Sequence, residues 1–222
     1  MKIEIMIPSL IVVIMIFSIL YVVGRSNYLE YTKEKFDIRS NFPYEMQDNQ
    51  HFKYNWQVRF LALFFCLSLS LFAVNAFDMK NASSLSLATA VMILNAIFAM
   101  LLFIVPMRNA SVHMAIAIGQ FGLTFLSYAF VSNYVFFFNI EEYPLFLGIV
   151  SSIFLVIILL LLINPKLYRW MYLDKVEENG EIVLKRPKVM LLPLYEWIFM
   201  VLTIVLDLLI VIATLILQNP AK

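Results

Sequence analysis

WIFMVLTIVLDLLIVIATLIL, residues 197–217, runs through 21 positions with one charged side chain, Asp207. A helix needs about 20 mainly apolar residues to cross a bilayer's hydrocarbon layer, so the stretch reads as a transmembrane helix. Five more stretches qualify by the same rule, 5–23, 60–77, 85–107, 114–138 and 145–163. Backbone polar groups must be satisfied internally in lipid, which makes helices of them. A transmembrane β-barrel would need alternating runs of about ten residues, and these runs do not alternate. The first stretch resembles a signal peptide only superficially, since it is long, lacks an A-x-A site and is followed by Arg25.

Composition agrees with that count. Hydrophobic residues make up 63% of the 222-residue chain and charged residues 14%, against about 45–50% and about 25% in soluble domains. One core in a chain this short cannot hide so much apolar surface from water. The expected fold is therefore an all-α integral membrane protein, a single six-helix bundle over 1–222. Sixteen basic and fifteen acidic residues leave no bias toward nucleic acid. The lone Cys66 excludes an internal disulfide and a multi-cysteine metal site.

The connections set an expected orientation. Loops 24–59, 108–113 and 164–196 carry thirteen of the sixteen Lys and Arg, and the other side has only Lys2, Lys80 and Lys222. Basic loops face the cytoplasm, so both termini are expected outside, in a cell membrane. Trp56, Trp170 and Trp197 fall at that same boundary and read as interfacial anchors. Short outer links force neighbouring helices to pack antiparallel.

Two long loops hold most of the polar residues. Loop 24–59 interleaves charges with Tyr28, Tyr31, Phe36, Phe42, Tyr44, Phe52 and Tyr54, a pattern suited to lipid headgroups or a protein partner. Loop 164–196 contains Asn179-Gly180 between two strand-compatible pieces, which predicts a small cytoplasmic β-hairpin. In that register Glu178 faces Glu181, and Asp174 faces Lys185. The order of spans and long loops mirrors itself about the middle instead of repeating, which gives little support to an inverted-repeat transporter.

Inside the helices, polar residues line up. At about 100° per residue, Glu196, Thr203, Asp207, Thr214 and Gln218 fall within about 60° of one another. His113, Gln120, Thr124 and Ser127 do the same on the fourth span. The spacings 113–120–124 and 196–203–207 match, so His113 is expected opposite Glu196, Gln120 opposite Thr203 and Thr124 beside Asp207. Asn95, on the third span, lies at a similar depth and belongs to a small-residue face with Ser84, Ala88 and Ala99. An acid facing lipid at mid-membrane costs at least about 2.5–3.5 kcal/mol, so the Asp207 stripe must face protein or water. Asp207 then either ties the bundle together through Asn95 or Gln120, or serves as a proton or cation site.

No catalytic set can be assembled. Only His51 and His113 occur, and HExxH, GxSxG and P-loop patterns are absent. Glu141-Glu142 reads as a solvated turn. No enzyme activity, cofactor, metal site or nucleic acid is expected. Two function classes remain. The favoured one is a non-enzymatic membrane subunit or accessory protein, docking a protein or lipid through loops 24–59 and 164–196. The alternative is a small secondary transporter or ion-coupled carrier using Asp207, Thr203, Gln120, Thr124 and Asn95, with His113 and Glu196 at the cytoplasmic boundary.

Overall fold

Val105-Pro106 decides where the third helix stops, because a residue before proline is driven out of the helical region. In the computed structural model that helix ends at Ile104 instead of 107. The structure describes residues 3–47, 52–76, 83–133, 145–164, 174–178, 181–185 and 187–218. Six helices cover most of them: α1 Ile3–Thr32, α2 Phe52–Ala76, α3 Ser83–Ile104, α4 Ala110–Asn133, α5 Leu145–Leu162 and α6 Leu191–Gln218. All six contain a segment long and apolar enough to cross a membrane.

Helices adjacent in sequence pack side by side from α1 through α5, and α6 returns to touch α1, α2, α4 and α5. Helix α6 is therefore the central strut. Of its apolar window 61% is buried, against 22% for α5. The outward faces are apolar as well. On α2, Phe60, Leu63, Phe64, Leu67, Leu71 and Val74 are exposed, at spacings that make one continuous stripe. A bundle apolar both inside and out is stable only where its surroundings are hydrocarbon.

Several helices outrun the apolar segments that announce them. Helix α1 continues to Thr32, well past residue 23, because Gly24, Asn27 and Tyr28 keep a buried face beyond the apolar run. It stops at Lys33, whose φ of 64° is the left-handed turn that closes many helices. Helix α6 starts at Leu191, and Pro193 falls in its first turn, where a missing N–H leaves nothing unpaired. Helix α4 is described as far as Asn133, so the end of the 114–138 segment lies outside the described residues.

The chain after α1 folds back under the bundle instead of lying free. A turn at 37–41 leads into a 3₁₀ turn at Pro43–Met46. Phe36, Phe42 and Met46 are buried there. Gly24 makes the seat possible, since a Cβ at that position would collide with the Met46 side chain. The segment is bonded to four helices. Tyr31 Oη donates to Glu45 O, Gln47 Nε2 donates to Phe103 O, Arg59 Nε donates to Gln47 Oε1 at 3.0 Å, and Trp197 Nε1 donates to Asn41 O at 3.1 Å. Just ahead of α6, Met190 N donates to Arg39 O at 2.7 Å. At its exposed tip Arg39 hydrogen-bonds both oxygens of Asp37 and holds that carboxyl below its ordinary range.

The structure places these aromatic residues in detail. In loop 24–59, Tyr28, Phe36 and Phe42 are buried, and Tyr31 and Tyr44 are half-buried against the core. Trp197, expected at the membrane boundary, is a buried pillar ringed by Phe17, Tyr21, Phe36 and Phe103. Its indole N–H finds a carbonyl inside the folded loop and so needs no headgroup. Trp56 does stand on the surface, and Trp170 lies outside the described residues. In the last long loop, β1 Asp174–Glu178 and β2 Glu181–Lys185 pair antiparallel, with Asp174 opposite Lys185 and Glu178 opposite Glu181. Asn179-Gly180 falls outside the described residues.

Candidate functional site

Side chains spaced seven and then four residues apart share one helix face, so α4 and α6 each present a polar column to the interior. His113, Gln120, Thr124, Ser127 and Tyr128 are buried on α4, and Glu196, Thr203, Asp207 and Thr214 on α6. Asn95 is buried on α3, at the same level as Thr203. Close approach of α3 to α4 depends on Gly119, because a Cβ there would strike the Phe98 ring.

At the end nearer the long loops, His113 Nε2 lies 2.9 Å from Glu196 Oε1, with both side chains fully buried. His113 Nδ1 is 2.7 Å from Val105 O. A carbonyl only accepts, so Nδ1 carries a hydrogen, and the Nε2–Oε1 bond shares a single proton between ring and carboxyl. The Phe42 and Tyr44 rings sit edge-on to the imidazole at 5.5 and 5.2 Å between centroids. Glu45, on the same 3₁₀ turn, acts electrostatically on both members of the pair. The folded loop thus roofs this end of the seam.

Deeper in, the polar groups join across three helices. Asn95 Nδ2 donates to Thr203 Oγ1 at 3.0 Å. The Thr124 hydroxyl is within reach of Asn95 Oδ1 at 3.2 Å and Gln120 O at 2.9 Å. Gln120 Nε2 donates to Thr124 Oγ1 at 3.4 Å, and Thr203 Oγ1 donates to Phe199 O at 3.0 Å. Gln120 therefore bonds along its own helix, and the partner of Thr203 is Asn95.

Asp207 is 1% exposed, and neither of its oxygens has a hydrogen-bond partner. Of the partners expected for a structural tie, Asn95 is committed to Thr203 and Thr124, and Gln120 bonds Thr124 through its Nε2 and does not reach Asp207. Only four buried side-chain atoms among the described residues lack a partner: both oxygens of Asp207, Glu196 Oε2 and Gln120 Oε1. All four lie on this seam. Tyr128 is the neighbouring titratable group, in electrostatic contact with Asp207 while its hydroxyl donates to Leu202 O at 2.8 Å. Tyr128 was legible in principle, since it lies one turn beyond Thr124 on the same stripe, but as an aromatic in an aromatic-rich chain it carried no mark. The roles of Asn41 and Gln47 had no sequence signal, because they depend on a loop folding back.

Thr214 bonds Ile210 O and closes on its own helix, and the Gln218 side chain lies outside the described set. Among the described residues no group of three or more His, Cys, Asp and Glu is arranged to hold a metal. No protein-family model matches the chain, and comparison with curated proteins and solved structures finds no match.

Proposed function

We propose that this chain is a small ion-coupled carrier, not an enzyme, in which the α3–α4–α6 seam is the working element and Asp207 the coupling group. One observation supports the choice above all: every partnerless buried side-chain atom among the described residues lies on that seam. A membrane protein ordinarily pairs its buried polar groups, and an intramembrane acid left unpaired is a functional residue by default. The accessory-subunit reading loses part of its support, because aromatic residues that were to meet a partner are buried in the fold.

That second reading keeps one observation in its favour. Strands β1 and β2 find their main contacts in each other, so a small hairpin on the long-loop side would offer a surface to a membrane or cytoplasmic partner. The long-loop side is proposed to be cytoplasmic, with both termini outside a cell membrane, since it carries thirteen of the sixteen Lys and Arg.

The test is ion flux into vesicles holding the full chain, driven by an imposed potassium diffusion potential and read with a pH-sensitive dye for protons and a sodium-sensitive dye for sodium. Wild-type flux that collapses in Asp207→Asn is the expected result. No wild-type flux above empty vesicles, or equal flux in the variant, overturns the carrier reading.

A further inference from the structure

We infer that the ion handled by the seam is a proton rather than a metal cation, and that it reaches Asp207 from the buried His113–Glu196 pair. The inference rests on the carrier reading and assigns that site its ligand and its donor.

The argument against a metal cation is a count of oxygens. Hard cations take about six or more oxygen ligands. Around Asn95, Thr124 and Thr203 the oxygens are engaged: Asn95 Oδ1 receives Thr124, Thr124 Oγ1 receives Gln120, and Thr203 Oγ1 receives Asn95. What remains uncommitted is the Asp207 carboxyl and Gln120 Oε1, three oxygens in all. That set is too small to replace a hydration shell. A carboxyl needs only one proton to become neutral, and a buried acid without a partner is otherwise strongly disfavoured.

The argument for the donor is positional. Asp207 and Glu196 lie on one face of α6, about 16 Å apart along the axis at about 1.5 Å per residue. On the same seam Gln120, Thr124, Asn95 and Thr203, each able to give and receive a hydrogen bond, form a network that at rest is bonded to neither acid. Glu196 has one oxygen on His113 and its other without a partner. The pair already shares one proton on its Nε2–Oε1 bond, as the Val105 carbonyl requires of Nδ1.

In the transfer, Glu196 takes that proton from imidazolium Nε2 and becomes a carboxylic acid. The acid swings its whole side chain from His113 toward the network and gives up the proton there, returning to carboxylate. Asp207, having released its own proton toward the far side of the bundle, accepts the next one as a carboxylate, and His113 regains a proton from the long-loop side. One proton and one positive charge move from the long-loop side into the seam per event. Glu45 faces the donor pair, and Tyr128 faces the acceptor.

The experiment is infrared difference spectroscopy of the full chain in detergent, following the carbonyl stretch of a protonated carboxylic acid. The band should vanish in Asp207→Asn. Its shift on transfer to deuterated buffer should slow about 100-fold or more in Glu196→Gln, which keeps the shape of the pair but removes its proton carrier. His113→Gln provides the same test if Glu196→Gln does not fold. A band unaffected by Asp207→Asn overturns the proton site. Exchange as fast in Glu196→Gln and His113→Gln as in wild type overturns the donor. The carrier reading would survive that second outcome, because vesicle flux lost in Asp207→Asn does not depend on the route of entry.

Discussion

Glu196 and Asp207 are two acids on one face of one helix, both buried in a bundle with apolar walls, and the fold treats them oppositely. Glu196 is bonded to His113, under a roof made by Phe42, Tyr44 and the folded loop. Asp207 has no hydrogen bond at all. A paired buried acid is held by its partner, and losing either member leaves an uncompensated group. An unpaired one leaves its desolvation cost without compensation. The difference teaches that burial alone does not decide how an acid is held; partners do.

The comparison can be broken most directly at Glu196. Glu196→Leu strands His113 in the interior and should destabilise the protein by about 3–5 kcal/mol in a denaturant titration in detergent. A loss under about 1 kcal/mol would mean that the pair is not the anchor of its end. At the other acid the sign reverses. Asp207→Leu removes an unsatisfied buried group and should raise stability by about 1–3 kcal/mol in the same titration. A marked loss instead would show that Asp207 has a partner, and the contrast would fail.

Smaller effects sharpen the picture. Gly24→Val pushes Met46 off its seat and should cost about 1–3 kcal/mol, with faster amide exchange in 33–47 as the signature. Unchanged exchange would separate the roof from its seat. Between the two acids, a double-mutant cycle of Asn95→Ala with Thr203→Val should give a coupling near 0.6 kcal/mol, as for other interhelical hydrogen bonds in membranes. Coupling of zero would remove the cross-link between α3 and α6 at that depth. Last, Lys33→Gly relieves a left-handed residue and should stabilise by about 1 kcal/mol or less, leaving the seam untouched.

Much of the bundle was legible without coordinates. Six apolar segments of membrane-crossing length imply six helices, because lipid allows a spanning backbone few other solutions. The polar stripes of α4 and α6 were legible too, since helical periodicity puts side chains seven and four apart on one face whatever the neighbours are. Periodicity does not say which polar groups on facing columns will bond. Gln120 turned to its own helix and Thr203 to Asn95, because bond choice depends on the rotation and offset of each helix at the level of an ångström.

Local pattern therefore determined the number of helices, their apolar outer faces and the inward columns that carry His113, Gln120, Glu196 and Asp207. Tertiary structure alone decided that Trp197 is a pillar, that loop 33–47 is a roof, and that of two acids on one face only Glu196 has a partner. The physical reason is range. Hydrophobicity and helical spacing act within a few turns of one chain segment, whereas Trp197 Nε1 and Asn41 O stand 156 residues apart in sequence and meet only when the whole bundle has formed.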